Sequence, residues 1–129
     1  MRLYEVNRKF EYMPDRMQYG FKEVWLPLQN VGGRLIGDCE SYAITLKQEV
    51  DEYYLWQYHY CKINGNGHCV LVCKDMVIDN NIRRPISLQK YKQAYEITGL
   101  RPYRWYELVW KFASAWVLKQ WIKLRKDNK

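Results

Sequence analysis

The sequence predicts an α+β domain, and three observations carry that prediction. Cys39, Ala43, Leu46 and Val50 recur at spacings of four, three and four residues, which follow one helical face. Three short runs of β-branched and aromatic residues come next, separated by turn signals at Asn64-Gly65-Asn66-Gly67 and Lys74-Asp75. A second helical pattern then runs from Tyr106 to about Leu124. Helix, strands, helix, in segregated order, is the α+β arrangement, and 129 residues suit one domain spanning 1–129.

Taken in order, the first thirty residues are polar and aromatic, with Pro14, Gly20 and Pro27 as breakers. They predict loops with one or two short helical pieces, and Trp25 and Leu26 packed on the core. Gly32 to Asp38 reads as a loop that ends in a helix start. Asp38 suits the N-cap, and Glu40 suits the first turn, where the helix presents its positive end. The helix should fade near Glu52 to Leu55. Trp56 to Ile63 reads as a strand, Asn64 to Gly67 as a turn and His68 to Cys73 as a second strand. Lys74-Asp75 then turns into a third strand, Met76 to Asp79. The three form an antiparallel meander. Pro85 to Pro102 is mixed. The helix at 106–124 is amphipathic and basic. Its aromatic residues are expected to complete the core while its lysines face water.

Charge is unevenly distributed. Residues 1–100 hold 13 basic and 12 acidic side chains, and residues 101–129 hold 8 and 2. A nearly neutral body is thus followed by a cationic segment, which does not describe a nucleic-acid footprint over the whole domain. That helix would suit an acidic partner, and Lys123 to Lys129 read as a solvated, frayed end. The N-terminus meets charge at once, so no signal peptide is expected, and no run of about 18 apolar residues spans a membrane. Four cysteines without an export signal predict free thiols in a reducing, cytoplasmic setting. His59, Cys61, Cys69 and Cys73 lack the Cys-x2-Cys spacing of a structural zinc site.

One cysteine, one histidine and one aspartate stand out. Cys39 falls in the first turn of a helix, where backbone N–H groups and the helix dipole favour thiolate over thiol. The same N–H groups are candidate oxyanion donors. A two-residue turn at Lys74-Asp75 pairs Cys73 with Met76, Val72 with Val77 and Val70 with Asp79. Asp79 then shares a face with His68 as its diagonal neighbour, roughly 7–8 Å away between backbones, which the side chains can close. A helix with its Cys39 end over that face would complete a Cys–His–Asp triad.

Three blocks in order are Gly37-Asp38-Cys39-Glu40-Ser41-Tyr42-Ala43, Gly67-His68-Cys69-Val70-Leu71 and Val77-Ile78-Asp79-Asn80. Together they resemble the bacterial transglutaminase-like cysteine proteinases, within the transglutaminase-like, papain-like superfamily. The resemblance covers about residues 25–105. It implies a helix bearing the nucleophile packed on an antiparallel sheet bearing His and Asp. It implies Cys39 as nucleophile, His68 as general base and acid, and Asp79 as the residue that orients His68. Relatives that process bacterial surface adhesins bind calcium through acidic residues flanking the nucleophile, so Asp38 and Glu40 become candidate calcium ligands. The capping role of Asp38 and the first-turn role of Glu40 stand beside that reading. The chain departs from the family pattern at Ser41 and Cys69. A short version without an export signal suits a cytoplasmic or phage-encoded protein.

The expected activity is thiol-dependent acyl chemistry on a peptide or amide bond of a protein substrate, most simply proteolysis. An amine in place of water would make the same site a transglutaminase. The alternative is a non-catalytic binding protein on the same scaffold, using its basic C-terminal helix.

Overall fold

The helix expected after Asp38 forms as α3, Cys39–Glu49, in the computed structural model, which describes residues 1–127. Asp38 Oδ1 accepts the Ser41 N–H at 3.3 Å, so the N-cap is made as expected. Ala43, Leu46 and Val50 are buried, but so is every residue from Glu40 to Leu46. A helix enclosed on all sides is a central element rather than a surface one. It ends at Glu49, earlier than expected, and a 3-10 turn at Asp51–Tyr53 follows.

The segments before α3 are more ordered than loops. They give α1, Leu3–Lys9, β1, Phe10–Tyr12, α2, Asp15–Tyr19, β2, Gln29–Val31, and β3, Arg34–Gly37. Strands β2 and β3 form a hairpin around Gly32-Gly33, pairing Val31 with Arg34. β1 lies parallel to β3 on its other side, giving the order β1-β3-β2. Trp25 is buried and Leu26 packs against the core, as expected.

The meander forms with the expected topology. β4, Gln57–Ile63, β5, Asn66–Cys73, and β6, Met76–Ile78, are antiparallel neighbours. The first turn is tighter than expected. Asn64 and Gly65 alone make it, both at positive φ, and Asn66 and Gly67 join β5. The second turn pairs Cys73 with Met76 and Val72 with Val77, the expected register. The mixed region resolves into β7, Ile86–Ser87, α4, Leu88–Ala94, and β8, Ile97–Pro102. β8 pairs with β4, so the second sheet runs β7-β6-β5-β4-β8.

The two faces of this sheet bury different clusters. Cys69, Leu71 and Ile78 join the main core with Tyr42, Ile44 and Leu46 of α3. Cys61, Val70, Val72 and Val77 pack instead around Tyr91 of α4. This corrects one expectation. α3 lies over the Cys69 face, not the face that His68 shares with Val70.

The last helix, α5, Trp105–Asp127, corrects another. Ala115 is buried, and Leu108, Phe112 and Leu118 pack on the core. Lys111, by contrast, turns inward to Glu23 at 2.9 Å. The tryptophans do not complete the core: Trp110, Trp116 and Trp121 are 73%, 63% and 59% exposed. The helix seats the opposite stripe, where Phe112 stacks edge-on against Trp25 and Lys111 reaches Glu23. Of the frayed end expected at 123–129, residues 123–127 are helical, and Asn128 and Lys129 lie outside the described residues. No helix among the described residues is long and apolar enough to cross a membrane.

Candidate active site

Alternation along β5 and the two-residue turn after Cys73 bring His68 and Asp79 to the same face. His68 Nε2 lies 2.8 Å from Asp79 Oδ2. Asp79 follows β6 directly and is 2% exposed. Its Oδ1 accepts the backbone N–H of Asn81 at 2.9 Å and of Ile82 at 2.7 Å. Its Oδ2 also accepts the hydroxyl of Tyr91, which is fully buried on α4. Four donors therefore converge on one carboxylate.

Burial alone would raise the Asp79 pKa, but hydrogen bonds from His68, Tyr91 and the Ile82 amide outweigh it, and the group titrates below the usual carboxylate range. An ionised Asp79 accepts a hydrogen bond from His68 Nε2–H, which leaves Nδ1 as the acceptor nitrogen of that tautomer. A carboxyl with a depressed folded-state pKa contributes stability that is present above its unfolded value, near 3.9, and is lost as pH falls through the folded value. Urea midpoints measured from pH 7 down to pH 2 should therefore drop most steeply below about pH 4. An Asp79→Asn variant should show a shallower acid drop.

Cys39 is the first residue of α3. Cap bonding uses the Ser41 N–H, and the Tyr42 N–H bonds to Asp38 O. The N–H groups of Cys39 and Glu40 begin the same turn, where a helix presents its donors, and they are candidate oxyanion donors. The thiol itself donates to Glu40 Oε2 at 3.2 Å. Burial pushes the Cys39 pKa well above the ordinary thiol value, and Glu40, Cys69 and Asp38 push the same way. This corrects the expectation of a thiolate favoured by the helix end alone. A buried sulfur beside carboxylates costs more to ionise than the dipole returns.

A cavity of about 570 Å³ joins these groups. Cys39, Glu40, His68 and Cys69 line it, and Tyr60 and Tyr103 form an aromatic wall. Cys39 and His68 thus face one space, although α3 and the His68–Asp79 pair lie on opposite faces of the sheet.

Asp38 and Glu40 have a third companion that sequence reasoning missed. Asp15 is 2% exposed, and its Oδ2 accepts the Val24 N–H at 2.6 Å. Its carboxylate also lies within hydrogen-bond reach of the Glu40 and Asp38 carboxyls. Burial pushes the Glu40 carboxyl well above the usual carboxylate range, and Asp15 and Asp38 add to the rise. Burial likewise raises Asp38. Oxygen or sulfur atoms of Asp38, Cys39 and Glu40 fall within 4.8 Å of one another. Tyr91 is the other missed residue. Ser87 caps α4 through the Lys90 N–H, a signal that marks the helix but not which of its side chains reaches Asp79.

No model of a known protein family matches this chain, and no curated protein matches it.

Proposed function

We propose that this protein is a thiol-dependent acyl-transfer enzyme of transglutaminase-like kind, with Cys39, His68 and Asp79 as its triad and a peptide or protein as substrate. Hydrolysis of a peptide or amide bond is the simplest outcome. The observation that carries this reading is the His68–Asp79 pair, braced by Tyr91 and opening onto the cavity that holds the helix-start thiol. In the reaction, the thiol leaves Glu40 and turns to His68, whose Nδ1 takes its proton. The sulfur attacks the carbonyl carbon, and the Cys39 and Glu40 N–H groups receive the developing oxyanion. His68 then protonates the leaving amine. Water, with His68 as base, releases the acyl group from sulfur. An amine in place of water would make the product a new amide.

The carboxylates fit a calcium ion. Asp38, Glu40 and Asp15 would supply hard oxygen ligands, and three buried carboxyls within hydrogen-bond reach of one another are a donor set of the kind a divalent cation takes. A bound divalent cation would neutralise the cluster and lower the cost of an adjacent thiolate.

A second reading has its own observation. The Cys39 thiol bonds to Glu40 rather than His68, and its pKa is raised. That favours a binding protein with a silent triad.

One experiment separates the two. The four free cysteines are alkylated with iodoacetamide and quantified by mass spectrometry, with calcium and with chelator. The enzyme reading expects Cys39 to react fastest, His68→Ala to remove that selectivity, and calcium to increase it. Equal slow labelling of Cys39 in wild type and His68→Ala, under both conditions, would leave the binding reading.

A further inference from the structure

The outward side of α5 has no partner in the fold. Val109, Trp110, Trp116, Val117, Trp121 and Leu124 are all exposed, at 48–73%. At 100° per residue they fall in one sector opposite the seated stripe of Phe112, Ala115 and Leu118, and between Val109 and Leu124 it contains no charged residue. The sector extends for about 22 Å along the helix axis. A face of this kind is unusual on a domain that has already buried its core.

Its margin is cationic. Lys119 and Lys123, one turn apart, are exposed beside Trp116. With Arg125 they line a groove of about 760 Å³ against β2, with no acidic side chain among the described residues that line it. Before Asp127, the one acidic residue on α5 is Glu107, and Arg101 holds it at 2.9 and 3.1 Å. A second copy of this helix would therefore bring lysines to lysines with no carboxylate to answer them. An anionic surface answers them directly.

We propose that the outer face of α5 docks on an anionic lipid bilayer, lying in the plane of its interface. Tryptophan suits that depth, because its ring is apolar and its N–H stays within reach of water and headgroups. Lys119 and Lys123 reach the lipid phosphates at the margin. The helix is not apolar enough to cross, so it lies on the membrane rather than spanning it.

The test uses the full chain and vesicles of phosphatidylcholine, alone or with phosphatidylglycerol. The protein should co-sediment with phosphatidylglycerol vesicles, and its tryptophan emission should shift to the blue. Binding should weaken as salt is raised. Trp110→Ser/Trp116→Ser/Trp121→Ser changes only exposed positions and should lower binding more than about tenfold. Lys119→Glu/Lys123→Glu should lower binding to phosphatidylglycerol vesicles by at least about tenfold and leave the weak binding to phosphatidylcholine alone unchanged. Circular dichroism and Cys39 alkylation identify any variant that has unfolded. No binding to phosphatidylglycerol vesicles at low salt would overturn the proposal, as would undiminished binding by the folded triple variant. A dimer in sedimentation equilibrium that the triple variant abolishes would assign the face to a second copy instead.

Discussion

On the proposed mechanism, Asp79→Asn is expected to slow acylation of Cys39 by about 10⁴-fold while the protein stays folded, the size of effect for losing the orienting carboxylate of a triad. The reason is the ring tautomer. The carbonyl of the introduced amide can still accept the Asn81 and Ile82 N–H groups, so the turn after β6 survives. Its NH₂ group then faces His68 in place of Oδ2. That group donates where the carboxylate accepted, so His68 must offer Nε2 as an acceptor and carry its proton on Nδ1. That proton occupies the position needed to receive one from the thiol. Single-turnover kinetics with an activated ester or peptide thioester measures the loss, and ¹⁵N chemical shifts of the imidazole report the tautomer. A wild-type rate with the proton still on Nε2 would mean that Asp79 has no orienting role.

Gly37→Ala is expected to cost about 3 kcal/mol of stability, at the upper end of overpacking. A Cβ at Gly37 would stand 2.7 Å from both Leu28 Cδ2 and Ser41 Cβ. Leu28 can turn away, but Ser41 lies in the first turn of α3 and moves only with the helix. The residue after Gly37 is the cap, and the one after that is the thiol. The same substitution should therefore shift Cys39 relative to His68. Urea unfolding at unchanged slope measures the stability loss. A midpoint within error of wild type would show that β3 and α3 separate more easily than their packing suggests.

The parts of the fold legible in the sequence were those governed by local rules. Asp38 caps α3 because a short carboxylate next to a helical stripe has one favourable place to go. Lys74-Asp75 sets the β5–β6 register because a two-residue turn leaves no other even pairing, and that register alone predicts the meeting of His68 and Asp79. What was not legible depends on which surface meets which. Nothing in the α3 stripe says which sheet face it covers, because both faces of β5 are apolar. Asp15 reaches Asp38 and Glu40 through the β1–β3 pairing, a contact without a local signature. Tyr91 closes on Asp79 from a helix twelve residues further on. On α5 the strongest aromatic stripe is not the one that is buried: Phe112, Ala115 and Leu118 meet the body, and which stripe does so depends on Trp25 and Glu23 far away in the chain.

The two edges of the five-stranded sheet have a consequence for solubility under stress. β7 has only two residues before α4 begins. On the other side, the β4–β8 register shifts between Tyr60 and Lys62, and β8 ends at Pro102, which has no N–H to offer. The long strands β4 and β5 are covered on both sides. An incoming strand from another molecule thus meets a two-residue stub on one margin and, on the other, an edge strand bent by the irregular pairing behind it and ended by a residue with no N–H. Both edges of this sheet are therefore poor templates while the fold is intact, and its long strands become available to another molecule only when β7 or β8 detaches.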